Sequence, residues 1–168
     1  MLALAAAVTA LNRTLFRGVK WIVFLIVVLM LWEVVSRYAF NAPTGWGPEL
    51  ATLLFGPYFL LGGPWLLHVG GHVAVDILSA KAGPRSGAVL AAIAALMALV
   101  FGAILTWFAL PLAWQSWSYG ETSFSAWNPV IWPAKAMLPL ATILLSLQAA
   151  ADLVFLAYGD ARGREAQA

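Results

Sequence analysis

The sequence predicts an all-α integral membrane protein of four transmembrane helices, with an N-terminal amphipathic segment and a short cytoplasmic interfacial helix. Three observations carry that prediction. Of the 168 residues, 63% are hydrophobic and 10% charged, at a mean hydropathy of +0.89. A soluble domain of this size has too little interior to hide so much apolar surface. The apolar residues gather in four stretches, each long enough to cross ~30 Å of hydrocarbon with ~20 residues. The basic residues are also distributed unevenly about those stretches. Arg13, Arg17, Lys20, Lys81, Arg85, Arg162 and Arg164, seven of the nine, fall on one side, against Arg37 and Lys135 on the other. The positive-inside rule makes the seven-residue side cytoplasmic, with both termini there. Topology thus explains the formal charge of +2 without nucleic acid. Cysteine is absent, which excludes disulfides and thiolate clusters and leaves the compartment open.

The first element is "MLALAAAVTALNRTLFRGVK", which lacks the basic start of a signal peptide. As a helix it carries Leu4, Val8, Leu11 and Leu15 at spacings of three and four. Asn12, Arg13 and Arg17 lie elsewhere on its surface, and the segment is expected to rest on the membrane.

Span one runs from about residue 21 to 40 and contains "WEVVSRYAF". Glu33 and Arg37 are four apart with the acid first, the favourable order for pairing on a helix. Glu33 lies ~18 Å along the axis from Trp21, in the outer half of the bilayer. An intramembrane ion pair is a functional suspect by default. Here a self-neutralising pair that faces another helix or subunit is the expected role. The loop that follows, "NAPTGWGPEL", places Pro48 and Glu49 where a helix N-terminus favours them. A similar build recurs in "WNPVIWPAK", except that Lys135 must snorkel or pair with a carboxylate.

Span two, about 49–67, holds Gly56-Pro57 and Gly62-Gly63-Pro64. Broken helices can expose backbone to a substrate, but span four has no matching break, so a kinked, closely packed helix is expected. It leads into "HVGGHVAVD". His68, His72 and Asp76 would share a face on an unbroken helix and could then bind a metal. Gly70-Gly71 interrupts that face. Asp76 is better placed as the N-cap of a short interfacial helix over residues 77–82, stopped by Gly83-Pro84, with His72 beside it in a polar hinge. Span three runs over about 86–111 with a Trp-rich extension to about 119, and span four over about 133–157. Connections are short, so the four spans are expected to fold back on one another as one membrane domain over residues 1–168. Trp46, Trp114, Trp117, Tyr119, Trp127 and Trp132 fall near the outer interface, where such rings anchor.

"SRYAFNAPTGWGPELA", "GGHVAVDIL" and "WNPVIWPAKAMLPLATILLSLQAAADL" together resemble the small permease subunit, DctQ-like, of tripartite ATP-independent periplasmic (TRAP) transporters. The family pattern matches Arg37, Tyr38, Phe40, Asn41, Pro43, Trp46 and Glu49, then His72, Val73, Val75 and Asp76, with Pro139 and Gln148 in the last span. The chain departs from the family in its single Glu49, where many members carry two acids. It also has "LHVGG" where members often place basic residues; contacts made through those charges do not carry over.

The resemblance implies a bacterial inner-membrane, multi-pass, non-enzymatic subunit. A periplasmic binding protein would deliver an organic acid to a large multi-span permease subunit. Sodium coupling would reside in that large subunit, and this chain would carry no cofactor. Glu33 and Arg37 would then serve a subunit interface, with Tyr38, Asn41, Pro43, Trp46, Glu49, His72 and Asp76 as interface or structural residues. Phospholipids complete the expected partners. Two other classes compete. A cofactor-bearing anchor of a redox complex would need haem ligands on opposite faces, yet the two histidines share one segment. A self-sufficient small transporter or channel would need a paired set of buried polar groups, which the four spans are not expected to hold.

Overall fold

A computed structural model describes residues 1–70 and 84–158. Five helices account for most of it: α1 (Leu2–Val19), α2 (Ile22–Ala39), α3 (Gly47–His68), α4 (Pro84–Ser118) and α5 (Trp132–Tyr158). Among the described residues there is no strand, only an isolated antiparallel bridge between Thr122 and Val130. Four helical stretches are long and apolar enough to cross a membrane, and the chain is a multi-pass membrane protein.

The spanning helices form a row rather than a closed ring. α2 packs on α3, α3 on α5, and α5 on α4, the last contact being the most extensive. α1 lies across α3 and α5 toward the end at which those two helices finish. Phe16 of α1 meets Gly62 and Trp65 of α3, while Asn12 meets Gln148 of α5. Each contact lies about 5–9 Å, at 1.5 Å per residue, from the level at which His68 of α3 bonds Asp152 of α5. α1 therefore crosses both helices at nearly one depth.

The sequence explains the helices individually. α2 has neither glycine nor proline, and its β-branched and leucine side chains find no penalty in lipid. α3 runs unbroken through Pro57 and Pro64, so span two exposes no unwound backbone. α4 continues past Pro111 to Ser118. Its 35 residues measure about 52 Å at 1.5 Å each, beyond the ~30 Å hydrocarbon. The Trp-rich extension is thus the outer end of the same helix. The interfacial helix expected over residues 77–82 lies outside the described residues.

One residue of α1 departs from expectation. On α1 the residues facing the protein are Ala5, Thr9, Asn12 and Val19, while Leu4 and Leu11 are 74% and 50% exposed. Asn12, expected on the surface, is 1% exposed. An apolar stripe points inward when the outside is water. Where the outside is lipid, leucine gains nothing by turning in, and the polar residues turn toward partners instead.

α4 and α5 approach closely where small buried residues share the faces of Gly102 and Thr142 at a spacing of seven, Ala95 and Ala109 on α4 and Ala149 on α5. Gly102 sits where an added Cβ would strike the Ser146 hydroxyl and lie 3.1 Å from the Thr142 carbonyl oxygen. Thr106 and Thr142 exchange a hydroxyl hydrogen bond of 2.8 Å next to it. Gly102→Val is expected to destabilise the protein by about 1–3 kcal/mol, the usual cost of overpacking. A thermal-unfolding scan in detergent would show it as a lowered midpoint.

Candidate functional site

Two polar constellations occupy opposite ends of the helix row. At the outer end, Glu33 is 3% exposed. The helical spacing brings Arg37 onto one of its carboxylate oxygens, with Arg37 Nε donating at 3.0 Å and a second guanidinium nitrogen closing an ion pair. The other oxygen accepts from the backbone N–H of Thr44 at 2.9 Å and from the Thr44 hydroxyl. Glu33 therefore pairs within the chain and also holds the α2–α3 loop against its own helix. Two local features let the loop return so tightly. Asn41 adopts a left-handed φ of 51°, which asparagine tolerates better than most residues. At Gly47 an added Cβ would lie 2.5 Å from the Thr44 hydroxyl and 3.5 Å from the Glu33 carboxylate. The Arg37 side chain stays about half exposed.

The family-pattern residues around this clamp have separate placements. Tyr38 and Pro43 are exposed, and Trp46 is the N-cap residue of α3. Glu49 lies in the first turn of α3 and accepts from the Ser125 hydroxyl at 2.5 Å, tying α3 to the α4–α5 loop. In that loop Phe124 and Asn128 have left-handed φ values of 54° and 52°. The Asn128 side-chain oxygen accepts from the Phe124 N–H at 3.0 Å. Trp117 and Trp132 meet edge to face at 4.2 Å. Lys135 donates to Glu121 at 2.6 Å, so the lysine pairs with a carboxylate. That bond is the main reason Glu121 titrates below its ordinary value of 4.5.

The second constellation, toward the ends of α3 and α5, corrects the expectation that the spans lack paired buried polar groups. Gln148 is fully buried at its centre. Its side-chain oxygen accepts from Asn12 Nδ2 at 2.8 Å, and its Nε2 donates to Thr9 Oγ1 and Asp152 Oδ1, each at 3.0 Å. His68 Nδ1 donates to the same Asp152 oxygen at 2.6 Å. The Trp65 and Phe155 rings pack on His68 at 5.6 and 6.2 Å. Three helices are joined here through five polar side chains. Asp152 was not singled out from the sequence. Its signal was present all the same: Gln148 and Asp152 stand four apart in an apolar span, opposite a span that ends in histidine.

The metal-triad reading of "HVGGHVAVD" needs a continuous helix, whereas α3 ends at His68 and Gly70 takes a left-handed φ of 72°. His68 faces Asp152 instead. His72 and Asp76 lie outside the described residues.

A family profile described as "Tripartite ATP-independent periplasmic transporters, DctQ component" matches residues 26–157. No curated protein matched the chain.

Gln148→Leu is expected to destabilise the protein by about 2 kcal/mol, since it leaves the Asn12, Thr9 and Asp152 groups without their shared partner. Detergent thermal unfolding would measure it; a wild-type midpoint would show that the network contributes nothing. The outer loop has a pH signature. A depressed folded pKa at Glu121 means its contribution is present above the ordinary carboxylate value and lost as pH falls through the lowered one. The stability gap between wild type and Lys135→Met should accordingly close on acidification below about pH 4, as read from unfolding midpoints across a pH series.

Proposed function

The chain belongs to the DctQ component family of the tripartite ATP-independent periplasmic transporters, and we propose that, as the small membrane subunit of such a transporter, it scaffolds the large subunit rather than moving substrate itself. The observation that carries this reading is the open row of helices with its internally bonded polar groups. A cavity of about 550 Å³ between α4 and α5 is lined chiefly by apolar residues, including Ala103, Trp107, Leu110, Ile143 and Leu147. The two hydroxyls on its wall are already committed. Thr106 bonds the Gly102 carbonyl and the Thr142 hydroxyl, and Ser146 bonds the Thr142 carbonyl. An organic anion would find no free donor there, and apolar walls would not repay its lost hydration.

α2 supports the same reading from outside. It rests mainly on α3 and leaves Val27, Val28, Leu31, Val34 and Val35 exposed along its length. Lipid or a partner helix can cover such a face equally well. Arg37, placed at its outer end, keeps guanidinium hydrogens beyond those given to Glu33, so a neighbouring subunit has a directional contact to use. In this reading the large multi-span subunit couples transport to sodium, and a periplasmic binding protein delivers the organic acid. This chain takes no cofactor and no catalytic part. It sits in the bacterial inner membrane with both termini in the cytoplasm.

Co-purification in mild detergent is expected to bring down a much larger membrane protein. Uptake in proteoliposomes should require both chains and the soluble binding protein. Robust uptake by this chain alone would overturn the scaffold reading. Arg37→Ala is expected to lower retention of the large subunit about tenfold, roughly the worth of one charge-assisted hydrogen bond. Pull-down yields of wild type and variant, compared at matched expression, test it.

A further inference from the structure

The outward face of α1 carries a row of cations that the scaffold role does not use. Arg13, Arg17 and Lys20 stand at i, i+4 and i+7, which places them in one stripe along the helix. All three are exposed. Like charges at a spacing of four work against a helix rather than for it. No carboxylate among the described residues pairs with any of the three. The first acid in the chain is Glu33, ~20 Å along the chain's helical rise from Lys20, beyond the ~8 Å Debye length, and engaged by Arg37 and Thr44.

Two features fix this stripe in place. The Gln148 network grips Thr9 and Asn12 on the neighbouring face of α1 and so sets the rotation of the helix about its axis. Indole rings steady both ends of the row, with the Arg13 guanidinium 5.9 Å from the Trp65 ring and Lys20 Nζ 5.6 Å from Trp21. Leu4 and Leu11 are exposed across the helix, on its other flank. Fixed cations along one exposed flank of a helix whose other exposed flank is apolar, with indoles at hand, match a surface that is oily below and anionic above.

We infer that the outward face of α1 binds the headgroup of an anionic phospholipid, its phosphate set between Arg13 and Arg17 with Lys20 completing the charge. The site stands apart from the scaffold role, because it needs only this chain and a bilayer.

The test uses the full chain alone in mixed micelles, with phosphatidylglycerol, phosphatidylcholine or inorganic phosphate as probes and retained lipid counted by native mass spectrometry. Wild type is expected to hold phosphatidylglycerol well above phosphatidylcholine. The triple variant Arg13→Gln, Arg17→Gln, Lys20→Gln should bind it about a hundredfold more weakly, and Arg17→Gln alone about fivefold, from the usual contribution of each cation near an anionic surface. The single variant keeps the test decisive should the triple variant fail to fold. Equal phosphatidylglycerol binding by wild type and Arg17→Gln would overturn the proposal. So would equal binding of the two lipids, or displacement of phosphatidylglycerol by an equal concentration of inorganic phosphate.

Discussion

Hydrocarbon offers no hydrogen bonds, and a carboxamide placed in it must find partners on neighbouring helices. Gln148 meets that demand with its oxygen and both amide hydrogens, reaching Asn12 and Thr9 on α1 and, through Asp152, His68 on α3. Hydrogen bonds of this kind between membrane helices contribute about 0.6 kcal/mol each on average. Their geometry matters more than that figure suggests. Dispersion between lipid-like faces is nearly indifferent to rotation, whereas a bonded Asn12 admits one rotation of α1 and one depth. The position of Phe16 on Gly62 and Trp65, and of the cations along the adjoining flank, follows from it.

The same constraint shapes the outer end. Glu33 cannot remain charged in the bilayer without compensation, and Arg37 alone leaves half of the carboxylate open. Thr44 supplies the remainder from the loop, so neutralising the acid and turning the chain into α3 are one event. α2 is consequently held at both ends, by the short Lys20–Trp21 junction and by the Glu33–Thr44 clamp, and along its length mainly by α3. Fixed ends with an uncovered middle suit a helix whose final neighbour is another chain.

What could be read in the sequence depended on how far each feature relied on the solvent alone. Span number and position follow from composition, because lipid selects runs of apolar residues whatever they later touch. The Glu33–Arg37 spacing was legible for the same local reason. The exposed stripe of α1 suits a segment resting on the membrane, whereas the burial of Asn12 was hidden because its partner Gln148 stands 136 residues away. Asp152 escaped notice because it belongs to no motif and gains its meaning from His68, 84 residues away. Thr44 was equally hidden, since nothing in "NAPTGWG" says which loop hydroxyl will face an acid one helix earlier. The hinge expected around His72 and Asp76 lies outside the described residues.

The direction in which the polar groups point also bears on where transport happens. A path for an organic anion needs hydrogen-bond donors with spare capacity, facing a wet cleft between elements that can move. Deep in these spans the strong donors face inward to one another, Asn12 to Gln148, Gln148 to Thr9 and Asp152, His68 to Asp152, and only Arg37, at the outer rim, keeps donors beyond those it gives Glu33. Each bond that would have to open for a substrate is one that fixes a helix, so opening it would loosen the very row it crosses. A rigid row with engaged donors and apolar outer faces is suited to being held against, and that is the physical case for placing the moving parts in a second chain.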